Sequence, residues 1–178
     1  MMIDAITTSH YAGEQIHGIS ADLVQLERIT PGTADPVPSG RDTGALRPGS
    51  RVITAAIAGR LVGFVLCLPG DAEAGTDLIP VETGLSVGRS SAFTRSAMHV
   101  LAPIVVPAAA NLGVIEVLLD AARREQPDGR VFAVLPGGHR SNRVARAAGW
   151  HEVLRSRSGM QLLLHPDHPA LAGILLRA

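Results

Sequence analysis

Ile104-Val105-Val106-Pro107-Ala108-Ala109-Ala110-Asn111-Leu112-Gly113-Val114-Ile115-Glu116-Val117-Leu118-Leu119-Asp120-Ala121-Ala122-Arg123-Arg124 is the stretch on which the fold turns. Met98–Val106 reads as a strand, apolar and rich in β-branched residues, and Pro107 ends it because proline has no N–H for the ladder. From Leu112 to Arg124 the period changes. Leu112, Ile115, Leu118, Leu119 and Ala122 fall on one helical face, with Glu116, Asp120, Arg123 and Arg124 off it. A strand that runs through a short glycine-bearing loop into a helix presents unpaired backbone N–H groups at a positive dipole end. That is a ready site for phosphate.

The rest of the chain follows outward from there. Pro127-Asp128-Gly129 stops the helix and Arg130–Leu135 is another strand, so the unit is strand, helix, strand. Such a unit places its two strands as parallel neighbours joined by a right-handed crossover. Upstream, Val52–Ile57 and Leu61–Leu68 form a hairpin around Ala58-Gly59-Arg60. Ile3–Thr8 reads as a first strand and Tyr11–Ile29 as a helix weakened by Gly13 and Gly18. Thr30–Ser50 and Gly70–Ala97 carry no periodic apolar face and read as loops. Downstream, Ser141–Ala148 is a short helix closed by Gly149 as a C′ residue. Trp150–Arg155 and Gly159–His165 are two more strands. Pro166 and Pro169 precede an apolar tail, Ala170–Leu176. The expectation is an α/β fold in one domain spanning residues 1–178, with a mixed, twisted sheet of about six or seven strands and helices on both faces.

Composition narrows the function. The chain has 178 residues, with 16 basic and 16 acidic side chains, so no basic excess marks it for nucleic acid. Every basic residue is arginine. One cysteine, Cys67, excludes an intramolecular disulfide and reads as a small buried hydrophobe. The N-terminus shows no signal-peptide pattern, and the longest apolar stretch, Val100–Ala110, is broken by two prolines and too short to cross a membrane. A cytoplasmic protein without membrane or nucleic-acid partners is expected.

Several landmarks, in order and with suitable spacing, resemble the GNAT superfamily of acyl-CoA-dependent N-acyltransferases. The hairpin Gly59-Arg60-Leu61-Val62-Gly63-Phe64 is similar to its second-to-third-strand turn. Ile104-Val105-Val106-Pro107 resembles the end of its fourth strand, Val131–Leu135 its fifth, and Ala147-Ala148-Gly149-Trp150 the Gly-aromatic end of its last helix. The resemblance implies transfer of an acetyl or other acyl group from acyl-CoA to a primary amine of a small molecule. It implies that the pantetheine arm lies along Ile104, Val105 and Val106, and that the pyrophosphate meets the backbone of Ala110, Asn111, Leu112, Gly113 and Val114. The family's loop reads Arg/Gln-x-x-Gly-x-Gly/Ala. Here Gly113 keeps the central glycine, Ala110 replaces the first polar position, and Ile115 replaces the last small one, where its branched side chain is expected to crowd a phosphate. Counting back from Gly149, the family's tyrosine position is Ala145 and its asparagine position is Gly138.

Attack by an amine on a thioester is helped by a base. His99, in the strand beside the acyl site, and Glu82, in the preceding loop with Asp77, are the candidates; a half-exposed strand histidine and solvated loop carboxylates are the alternatives. Arg140 and Arg143, opening the last helix, suit CoA phosphates or simply solvent, and Ser141 or Asn142 suits the N-cap. His165-Pro166-Asp167-His168 reads as a surface turn, and no metal site is expected. Few aromatics in the loops favour a small polar or aliphatic amine. A homodimer is left open. Two other readings also stay open: a repurposed fold that binds a ligand or partner, and an acyltransferase using a non-CoA donor.

Overall fold

The computed structural model describes residues 5–30, 48–70, 93–156 and 159–175. Its elements in chain order are β1 (Ile6–Ala12), α1 (Gln15–Arg28), β2 (Arg51–Ile57), β3 (Arg60–Pro69), β4 (Met98–Val100) and β5 (Ile104–Val105). They continue with α2 (Val114–Arg124), β6 (Val131–Pro136), α3 (Arg140–Ala147), β7 (His151–Arg155), β8 (Met160–Leu164) and α4 (Ala170–Leu175). The described strands form one mixed sheet in the order β1-β2-β3-β4-β6-β8-β7, with β5 attached to β3.

The hairpin forms as the sequence implies. Ile57 pairs with Arg60, so the turn is Ala58-Gly59, with both residues at positive φ (50° and 74°). That is the mirror-image turn whose twist matches the flanking strands. The first strand and helix both lie later than expected. Tyr11 belongs to β1, where it pairs with Val52, and Gly13 at φ 55° turns the chain into α1. Ladder bonds to β2 outweigh the weak helical spacing of residues 11–14. The apolar tail forms α4. Of the predicted loops Thr30–Ser50 and Gly70–Ala97, residues 31–47 and 71–92 lie outside the described residues.

The strand expected over Met98–Val106 is two strands, and here the structure corrects the sequence reading. Leu101-Ala102-Pro103 separates β4 from β5. The parallel ladder to β6 has two rungs, Met98 with Val131 and His99 with Phe132. Beyond it, β5 pairs with β3 alone, through Gly63–Val105 and Phe64–Ile104.

Alternation along the strands sorts the core. Val65, Cys67, Val131, Ala133 and Leu163 face one side, packing with Val114, Ile115, Leu118 and Ala122 of α2 and Ala145 of α3. Phe64, Leu66 and Ile104 face the other, under Ile16, Leu23 and Leu26 of α1. Phe132, Leu162 and Leu164 share that second face with Leu171 of α4. Each buried Val, Leu, Ile or Phe among them contributes about 1.5–3 kcal/mol relative to exposure. Gly63 sets the closeness of β5 and α2 to the sheet. A Cβ there would lie 2.9 Å from the Ile104 carbonyl oxygen and 3.2 Å from Val114 Cγ1.

Candidate functional site

The sheet forks between β5 and β6. Leu101 N donates to Leu66 O and Val106 N to Val62 O, both at 2.9 Å, so residues 101–106 stay with β3. β6 instead follows β8 through five register pairs, from Phe132–Leu164 to Pro136–Met160. The closed end of the fork is the rung His99–Phe132. Ile104, Val105 and Val106, expected along a pantetheine arm, line one wall.

At the open end the chain makes a 3-10 turn at Pro107–Ala109 and enters α2 through Gly113, which takes φ 79°. Glycine suits this left-handed position, where other residues are strained. No side chain caps the helix, and Val117 is the first residue whose N–H finds the helical carbonyl, that of Gly113, at 3.1 Å. The amides of Val114, Ile115 and Glu116 therefore point out of the helix end, where the dipole favours an anion, whereas Ala110 N and Leu112 N, expected to meet a pyrophosphate, already donate to Pro107 O and Ala109 O at 3.2 and 3.0 Å. Leu112 lies outside the helix and is 45% exposed, so it does not join the buried stripe. Ile115 corrects a sharper expectation. Its side chain is buried in the core against the sheet rather than in the loop, and it does not crowd that helix end.

Arg140 and Asn111, far apart in sequence, meet here. The Arg140 guanidinium donates to Asn111 Oδ1 at 2.8 Å. Both residues, with Arg143, Glu116, Val144, Ala147 and Ala148, line an open cleft of about 590 Å³ between α2 and α3. Arg143 and Glu116 are exposed on its rim. Two guanidinium groups beside a helix N-terminus make a cleft able to take phosphate, while the Glu116 carboxylate opposes them. The N-cap of α3 is His139, whose Nδ1 accepts from Ser141 N at 3.2 Å; Ser141 and Asn142, expected as caps, are buried instead. The Ser141 hydroxyl has no hydrogen-bond partner, and Asn142 Nδ2 donates to Gln161 Oε1 at 2.7 Å. The α3 C-terminus closes as expected: Gly149 N bonds Arg146 O and Trp150 N bonds Ala145 O. Ala145 is wholly buried, so that position offers no reactive group.

His99 is buried rather than half-exposed, at 5%. Its ring stacks on Phe132, with centroids 4.7 Å apart and planes 8° from parallel. Its Nε2 is buried without a hydrogen-bond partner. Burial pushes its pKa down to about 4, so the imidazole is neutral at neutral pH. The stack had no sequence signal, since alternation alone does not say which strands become neighbours. Glu82 and Asp77 lie outside the described residues. His165 packs edge-on against Trp150 at 5.4 Å. His168 is buried, pairs its Nε2 with the Phe93 carbonyl at 3.1 Å, and accepts from Ala170 N. Both histidines therefore serve the packing of the C-terminal segment. Burial pushes the Cys67 thiol up to about 12, which makes it inert. Among the described residues no helix is long and apolar enough to cross a membrane.

No protein-family model matches the chain, and no curated protein matches it. Solved structures do. The polyamine N-acetyltransferase of Drosophila melanogaster, which forms N-acetylagmatine, aligns over 90% of this chain and 100% of its own at 14% identity, with a TM-score of 0.56. An agmatine N-acetyltransferase aligns over 89% and 99% at 16% identity, TM-score 0.54. The loading GNATL domain of CurA from Lyngbya majuscula aligns over 93% and 100% at 12% identity, TM-score 0.57. The fold of this chain is the GNAT fold. At 12–16% identity the likeness carries no substrate with it.

Proposed function

We propose that the chain is an acyl-CoA-dependent N-acyltransferase acting on a primary amine of a small molecule. The observation that carries this reading is the fork itself: two strand walls that part beside an uncapped helix N-terminus, with Arg140 and Arg143 at the adjoining cleft. A pantetheine arm would lie between the walls along Ile104–Val106 and pair with the backbone there. The pyrophosphate would meet the open amides at the start of α2, from Gly113 to Glu116, and Arg140 and Arg143 would neutralise phosphate charge. Bound CoA supplies the activated acyl group; the chain orients it and excludes water. The similarity to agmatine and polyamine acetyltransferases supports a small aliphatic amine as acceptor. Glu82 and Asp77 remain proposed acceptor contacts on sequence alone.

The test is calorimetry and thermal shift with acetyl-CoA. Saturation at 100 times the dissociation constant should stabilise the fold by about 2.7 kcal/mol. Absence of binding would overturn the reading. One observation favours a second reading, in which the fold binds a ligand without chemistry: the family's tyrosine position is Ala145, buried in the core. Binding of acetyl-CoA with no turnover of any primary amine would support it.

A further inference from the structure

We infer that His99, on the last rung before the fork, is the hydrogen-bond donor to the thioester carbonyl through its Nε2–H. This rests on the acyl-CoA reading and assigns His99 a role other than that of base.

Three observations converge on it. His99 and Phe132 form the last rung of the parallel ladder, so a ligand entering between the walls can go no further. From His99, level with Leu68, to Val106, level with Val62, the wall follows six steps of β3, about 20 Å at 3.3 Å per residue. That matches the reach of a pantetheine arm anchored by its phosphate at the start of α2, so the thioester arrives beside His99. Next, the Phe132 stack holds the imidazole plane, and Nε2 is a buried polar atom with no partner. Leaving such an atom unsatisfied is costly, and a bound carbonyl oxygen would relieve that cost. Finally, the ring is neutral at neutral pH. A neutral imidazole with its proton on Nε2 donates to a carbonyl, whereas with a conjugate acid near pKa 4 it is a feeble acceptor for an ammonium proton.

The step balances without His99 changing protonation. The amine nitrogen attacks the thioester carbonyl carbon, forming the C–N bond as the π pair moves onto oxygen. The Nε2–H holds that oxyanion. Collapse then breaks the C–S bond, and the CoA thiolate takes up the proton that the amine nitrogen sheds. The products are the amide and CoA thiol.

The experiment compares wild type, His99→Gln and His99→Leu, using acetyl-CoA labelled with carbon-13 at the carbonyl. Circular dichroism and calorimetry first establish folding and binding. Infrared difference spectra then read the carbonyl stretch of the bound thioester. The assignment expects a downshift from free acetyl-CoA in wild type, retained in His99→Gln, which keeps an N–H near Nε2, and lost in His99→Leu. With a primary amine that wild type turns over, His99→Leu should lower kcat about 100- to 1000-fold, and His99→Gln should recover most of it. A downshift that survives in His99→Leu overturns the assignment while leaving the acyl-CoA reading intact. Equal loss of kcat in His99→Gln and His99→Leu, with the downshift unchanged, overturns it in favour of a base. Should His99→Leu fail to fold, the wild-type spectrum decides: an unshifted carbonyl overturns the assignment. Absence of acetyl-CoA binding by wild type overturns the reading and the assignment together.

Discussion

The Arg140 guanidinium is tied to Asn111 Oδ1 at 2.8 Å, joining the first turn of α3 to the loop ahead of α2. This bond holds one side of the cleft before any ligand arrives. Charged hydrogen bonds to phosphate contribute on the order of 1.5–3 kcal/mol. Arg140→Ala should therefore weaken acetyl-CoA binding about 10- to 100-fold, with a reduced salt dependence. Calorimetry at two ionic strengths checks this. Unchanged affinity would place the phosphates elsewhere.

Ile115→Ala should not improve CoA binding. The side chain fills the core under α2, so truncation leaves a cavity costing about 2–5 kcal/mol. Urea unfolding reads the loss. Ala110→Arg is the change that should tighten binding, because it adds a guanidinium at the loop without touching the packed face.

Acid should destabilise the protein through His99. Its folded pKa, about 4, lies below the unfolded value of 6.5. The unfolded state thus binds more protons between those values, and stability falls as pH drops from 6.5 to 4. The group contributes about 3 kcal/mol above that window, lost progressively within it. His165 and His168, also lowered by burial, add in the same direction. Denaturant midpoints of wild type and His99→Leu, compared at pH 7 and pH 4.5, isolate the His99 share. Parallel losses in the two proteins would contradict it.

Ala58 stands at φ 50°, where an L side chain is strained by about 1–2 kcal/mol. Ala58→Gly relieves that strain in an exposed turn. A gain near 1 kcal/mol should raise Tm by about 2–4 °C, with acetyl-CoA affinity unchanged.

Much of the fold was legible because local signals agreed with tertiary demands. The 51–69 hairpin, α2 and the paired C-terminal strands have both period and punctuation. The break at Leu101-Ala102-Pro103 was hidden inside an apolar run, which is consistent with one strand or two. Ile115 was misjudged against its own pattern: it sits on the stripe with Leu118, Leu119 and Ala122, and that stripe required burial. The cleft was half legible. Arg140, Arg143 and Asn111 could be named as candidates, but a contact across 29 residues of sequence depends on how α2 and α3 pack. The unpartnered nitrogen of His99 is a property of its surroundings and has no signature in the sequence.

The fork divides the sheet into two leaves that are consecutive in the chain, β1–β2–β3–β5 and then β6–β8–β7, stitched at β4 by two rungs. During synthesis the first leaf is complete before β6 leaves the ribosome. Until then the outer edge of β4 is an unpaired strand edge flanked by apolar residues, the kind of surface that pairs with other chains. β4 itself is three residues long, and Pro103, which follows it, has no N–H to offer a partner strand, which limits that hazard. The break that opens a space for a ligand also interrupts the edge that the nascent chain offers to its neighbours.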